Sequence, residues 1–141
     1  MTRQAPPFAL DLSSRLEAVL GYWRGLRRGE AAIPFADDID ILAVQDLCAD
    51  VFLLDVFDRP RRFRLALAHT PNAPHVEADL QGRFLDETDM PPPLELLLAQ
   101  ADAVVEVRAP TCHRERRYVR LLLPAWGEGQ IRQLLGAIDW L

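Results

Sequence analysis

The stretch Val51 to Ala68, VFLLDVFDRPRRFRLALA, decides how this chain folds. Val51–Phe57 is a short apolar run with β-branched and aromatic residues, and Asp58-Arg59-Pro60-Arg61 is rich in turn formers. Arg62–Ala68 then resumes with Phe63, Leu65 and Leu67 alternating against Arg62 and Arg64. Successive strand side chains point to opposite faces, so this pattern predicts a β-hairpin with one buried and one wetter face.

Upstream, Ser14 with Glu17 forms a capping-box pattern, and Leu16, Val19, Leu20, Trp23 and Leu26 recur at helical spacing. Arg27 and Arg28 then precede Gly29. These are start, face and stop signals of an amphipathic helix over residues 14–28. Its apolar stripe must be covered, either by its own domain or by a second copy of the chain. Residues 30–44, with Pro34 and the acids Asp37, Asp38 and Asp40, read as an extended connection leading to a helical turn near Gln45 to Ala49.

Downstream, residues 69–91 are dominated by polar and turn-forming residues. Leu94, Leu97, Leu98 and Ala101 predict a helix whose first turn tolerates Pro93. Val104–Arg108 reads as a short strand. Arg117–Leu123 reads as a longer one, with Val119, Leu121 and Leu123 opposite Tyr118, Arg120 and Leu122, and Gly127-Glu128-Gly129 is a turn. Ile131, Leu134, Leu135 and Ile138 fit a helix by period alone. The sum is an α+β domain with an antiparallel sheet.

A chain of 141 residues is the size of one domain. The expected organisation is a flexible tail over residues 1–12 and a single domain over 13–141. Half the residues are apolar and the net charge is −5, so neither nucleic acid nor an anionic membrane is an expected partner. All 16 basic residues are arginine, which leaves no lysine amine for Schiff-base chemistry. Cys48 and Cys112 make no disulfide framework, and two reduced thiols are expected. The opening MTRQAPPFALDL lacks the apolar core of an export signal, and no run of residues suits a membrane span, so a cytoplasmic location is expected.

Several strings, taken in order, resemble a bacterial PAS-like domain family. They are Tyr22-Trp23-Arg24-Gly25-Leu26-Arg27 followed by Ile33-Pro34; Phe63-Arg64-Leu65-Ala66-Leu67-Ala68 with Thr70; Asp79 to Glu87; Tyr118 to Pro124; and Leu134 to Ile138. The resemblance spans roughly residues 15 to 140. It implies a five-stranded antiparallel sheet with helices on one face, an additional N-terminal amphipathic helix, and a closing segment that is a strand despite its helical period. It also implies a ligand pocket between sheet and helices, walled by Phe63, Leu65, Leu67, His69, Phe84 and Leu98. The chain departs from the family at His69, where a glycine is usual, and over Pro71 to Glu77.

The chemistry open to such a domain is narrow. Gly82-Arg83-Phe84-Leu85 lacks the cysteine that flavin photochemistry requires. Haem needs an axial ligand, for which only His69, His75 and His113 are candidates, and no haem or flavin is expected. The acids Asp37, Asp38 and Asp40, with Asp86, Glu87 and Asp89, lack a calcium-loop spacing, and no metal site is expected. No nucleophile elbow, phosphate loop or dinucleotide fingerprint is present, and the expected function is not enzymatic. The arginines of Arg59 to Arg64 and of Arg114 to Arg120 would form a basic patch if their strands were adjacent.

Two readings follow. The first is a stand-alone sensory or regulatory module acting through protein–protein contact, as a homodimer or with another partner, through Leu16, Val19, Leu20 and Trp23. The alternative is a small-molecule sensor using the pocket described above.

Overall fold

The computed structural model describes residues 11–141; residues 1–10, and with them most of the expected tail, lie outside the described residues. Helix α1 spans Ser14–Gly25 and α2 spans Ile41–Leu47. Strands β1 (Asp50–Phe57) and β2 (Arg62–His69) follow, then a π-helical turn over Val76–Leu80 and helix α3 (Leu97–Val107). Strands β3 (Thr111–Arg114), β4 (Tyr118–Gly127) and β5 (Gln130–Trp140) complete the chain. The five strands form one antiparallel sheet in the order β2-β1-β5-β4-β3.

The sheet is covered on both faces, where helices on one face were expected. On one face α3, the π-helical turn and Leu94 bury Phe52, Leu54, Phe63, Leu65, Leu122 and Ile138. On the other, α1 and α2 bury Val51, Val119, Leu121, Leu123, Leu135 and Ala137. Strands buried on both sides carry near-continuous apolar runs instead of clean alternation. That explains why the last segment has a misleading period: Leu134, Leu135, Ala137 and Ile138 are all buried, on a strand, not a helix.

Helix α1 begins one residue earlier in its capping than the sequence pattern suggested. The Ser13 hydroxyl, not that of Ser14, accepts from the Leu16 amide at 3.3 Å, and the helix ends at Gly25, short of residue 28. Its stripe is consumed inside the chain: Leu16 and Val19 are 0 % exposed, Leu20 and Trp23 3 %. The Trp23 indole N–H donates to the Pro124 carbonyl at 2.7 Å, pinning the helix to the sheet. These four residues therefore do not present a dimer interface.

Pro124 is tolerated in the middle of β4 for a positional reason. Strand β3 pairs only with Val119 to Leu122, so β4 is an edge by the time it reaches Pro124, and no ladder N–H is missed. The chain segment at Pro34 and Phe35 covers this stretch, its Pro34 carbonyl accepting from the Trp126 amide at 2.8 Å. The β4–β5 hairpin closes through Glu128 and Gly129, both at positive φ (53° and 79°), the turn whose twist matches flanking strands.

Three local expectations are corrected. Val104–Arg108 is not a strand: Leu97, Ala101 and Val104 continue one helical face to Val107, where Arg108 ends the helix in the left-handed region. That helix starts at Leu97 and not near Pro93. The missing strand is instead Thr111–Arg114, and the helical turn expected near Gln45 is α2 itself, beginning at Ile41.

The hairpin also carries a bulge. Leu53 pairs with Leu67 but Leu54 pairs with Leu65, leaving Ala66 as the extra residue. An extra residue reverses the side-chain phase beyond it. Phe63 and Leu65 face α3, as does Ala68, while Leu67 and His69 turn to the α1 face beside Leu53 and Val51. The sequence reading placed Phe63, Leu65 and Leu67 together; the bulge separates them.

Gly136 on β5 lies directly opposite Phe52 on β1, and a methyl group there would overlap the Phe52 ring. Gly136→Ala should cost about 1–3 kcal/mol by overpacking, read as a lowered urea midpoint, and Phe52→Leu in the same chain should recover part of it. Replacing Val19 and Trp23 by aspartate should unfold the domain, since each substitution buries a charge in an apolar layer. Circular dichroism retaining native structure in that double variant would contradict the packing described.

Candidate functional site

Most of β4 is apolar, and Arg120 is the charge in its middle. The alternation with Tyr118 and Leu122 directs Arg120 toward α3, where it is 0 % exposed. Its Nε donates to the Gln100 side-chain carbonyl at 2.7 Å and its Nη1 to the Pro93 carbonyl at 2.8 Å. Its Nη2 is buried and has no hydrogen-bond partner among the described residues. The Gln100 amide is fixed in turn, donating to the Thr111 hydroxyl at 3.0 Å and to the Thr111 and Arg120 carbonyls at 3.3 Å. Helix α3, strand β3, strand β4 and the loop before α3 thus converge on one guanidinium.

No described carboxylate forms an ion pair with it. Glu95 accepts from the Tyr118 hydroxyl at 2.9 Å, and Glu115 pairs with His113 at 2.7 Å. Burial pulls the Arg120 pKa down, opposed first by the charge and hydrogen-bonding proximity of Tyr118 and then by Glu115 and Glu95; the Tyr118 hydroxyl lies near the guanidinium without the geometry of a hydrogen bond to Nη2. Burial, then the bond to Glu95, pushes the Tyr118 phenol well above its ordinary value. A lone buried charge costs several kcal/mol unless something compensates it. This is the feature that the fold least explains by packing.

A polar recess of about 260 Å³ lies at the end of the sheet where β1 begins and β5 ends, lined by Arg15, Cys48, Asp50, Asn72, Asp139 and Trp140 among others. Here the charges are satisfied. The buried Asp50 carboxylate accepts from the Asn72 amide (3.1 Å), the Asn72 side chain (2.8 Å) and the Trp140 indole (2.6 Å). Arg15 pairs with Asp139 at 3.1 Å. Burial raises the Cys48 thiol to about 11, so at neutral pH it is no nucleophile.

The expected pocket residues are not brought together. Phe63 and Leu65 are filled core; Leu67 and His69 lie on the other face; Leu98 is 39 % exposed. Phe84 sits outside the β2 edge, with the Arg62 guanidinium 3.9 Å over its ring and Phe57 at 5.4 Å. His69 is exposed beside Glu77, His75 meets the Pro92 carbonyl and His113 meets Glu115.

The two arginine strings lie on opposite edges of the sheet, not on adjacent strands. Arg62 forms a fork with Asp86 and lowers its pKa, and Arg64 pairs with Asp55. Among the acids, Asp38 is engaged by Arg28, Asp40 caps α2, and Glu87 caps Phe84. No group of three or more metal-ligating side chains occurs among the described residues. No described helix is long and apolar enough to cross a membrane.

Sequence reasoning placed Arg120 in a surface basic patch with the other arginines of 114–120. The available signal was its isolation: Tyr118-Val119-Arg120-Leu121-Leu122-Leu123 holds one charge within an otherwise apolar run. Comparison with known proteins returns no match to a family model, a curated protein or a solved structure.

The raised thiol and phenol carry a pH signature. In each the neutral form is favoured by the fold, so the stabilisation is complete below the unfolded pKa and lost as pH rises through the folded one. Between about pH 9, the ordinary thiol value, and 11 the melting temperature should fall, and Cys48→Ala should flatten the first part of that decline. Equal decline in wild type and Cys48→Ala would remove Cys48 from the account. Iodoacetamide at pH 8 should likewise leave Cys48 unmodified until the protein is denatured.

Proposed function

We propose that this chain is a PAS-like regulatory domain that works by binding a small molecule, without catalysis, between its sheet and α3. One observation carries the reading: Arg120, fully buried on the α3 face, has no carboxylate partner and an unpartnered Nη2 among the described residues. Buried charges in folded chains are paired or bound to something. The five-stranded antiparallel sheet supports the reading, although helices cover both of its faces and not one.

The polar groups around Arg120 are an amide, carbonyls, a hydroxyl and a phenol hydrogen-bonded to a carboxylate. They bind and orient; they contain no base poised beside a nucleophile. In the recess beside Asp50 the Cys48 thiol is held protonated. Homodimerisation through α1, the competing reading, loses its motive because the stripe of Leu16, Val19, Leu20 and Trp23 is spent on the sheet.

Native mass spectrometry tests the proposal. The purified chain, alone or after incubation with a small-molecule cell extract, should carry an added mass that disappears on denaturation. A bare chain under both conditions would count decisively against a sensor.

A further inference from the structure

We propose that Arg120 anchors a site for one small organic monocarboxylate, an inference that rests on the binding reading above and gives its ligand a chemical class. A guanidinium has five N–H donors. Two are engaged, Nε by Gln100 and one of Nη1 by Pro93, which leaves the two of Nη2 and the second of Nη1. The Nη2 donors, with the second of Nη1, can meet the oxygens of a carboxylate.

Charge selects among anions. The site holds one positive charge, and the nearest acids already have other partners, Glu95 on Tyr118 and Glu115 on His113. A monocarboxylate neutralises it, whereas a phosphate dianion would bring an uncompensated negative charge into a low-dielectric layer beside Glu95. The side chains around the fork would favour an apolar remainder once the segment before α3 is displaced. Along β4 the same-face neighbours of Arg120 are Tyr118 and Leu122, and the residue opposite on β5 is Ile138, all buried in the α3-side core.

Access is through the segment before α3. Pro93 is bound to Arg120 through its carbonyl, and Leu94 is buried, but two residues later Leu96 is left-handed (φ 61°) and 63 % exposed. A non-glycine residue in that region is strained, so displacing this segment exchanges the Pro93 bond for the ligand's and releases strain at Leu96 as it uncovers the fork.

The test measures melting temperature of the whole chain in sodium butyrate, sodium benzoate, inorganic phosphate and methylammonium chloride at constant ionic strength, for wild type and Arg120→Met. A carboxylate at 100 times its dissociation constant should raise the wild-type midpoint by roughly 8 °C, phosphate and methylammonium should not, and Arg120→Met should lose the rise. Should Arg120→Met not fold, Arg120→Lys keeps the charge without the fork and should weaken carboxylate binding at least tenfold. Stabilisation by phosphate alone, or an added native mass with no carboxylate response, overturns the carboxylate class and leaves the binding reading standing. No response to any probe, a bare native mass and a lowered midpoint in Arg120→Met overturn both, and make Arg120 a strut joining Pro93 to the sheet.

Discussion

Strands β4 and β5 are apolar on both sides, and the rest of the molecule is arranged to keep water from both. A sheet with one wet face could have been completed by α3 and the hairpins alone. With Val119, Leu121, Leu123, Leu135 and Ala137 on the second face, a second helical layer is obligatory, and α1 with α2 supplies it. Burying each such side chain is worth about 1.5–3 kcal/mol, so α1 is part of the core and not an appendage. The Trp23 indole fixes that layer by a bond to the Pro124 carbonyl.

Within this two-sided core Arg120 is the exception. Its neighbours above and below on β4 are core residues, and it gathers Gln100, Pro93 and, through Gln100, Thr111. Three consecutive elements, the loop at Pro93, α3 and β3, therefore depend on one side chain that would be costly to bury for packing alone. The Asp50 cluster, in register with Arg120 on the same face, makes the contrast. It also buries a charge, but three donors answer its carboxylate, and it needs nothing further.

The hairpin over 51–68, the strand at Arg117–Leu123 and the turn at Gly127–Gly129 were legible because each has a local signature: an alternation, an apolar run, a pair of glycines. What was not legible depends on partners. The period of Ile131–Leu141 mimics a helix because both faces of β5 are buried. Val104–Arg108 looks like a strand because a helix end and a short β run share the same apolar residues, and Cys112-His113 lacks any strand pattern at all. The Ala66 bulge, invisible in the residues, moved Leu67 and His69 off the face assigned to them. Of the expected pocket, only Phe63 and Leu65 point the right way, and both are packed core. Arg120 is the lone charge of an apolar run, and grouping it with the other arginines as a surface patch hid that its own face of β4 is buried.

Strand β2 ends the sheet on one side, yet its outer backbone is answered from within. The Leu65 amide donates to Arg83, the Leu65 carbonyl accepts from Gly82, and the Phe63 carbonyl accepts from Leu85, so residues 82–85 run along it as a selvedge. At the opposite border β3 is only four residues long, and Gln100 already holds the Thr111 carbonyl. Neither border offers the long unpaired rail on which chains add to one another strand by strand. A protein with so apolar a sheet can therefore be kept at high concentration in its folded form without seeding fibrils, the hazard being confined to whatever fraction is unfolded.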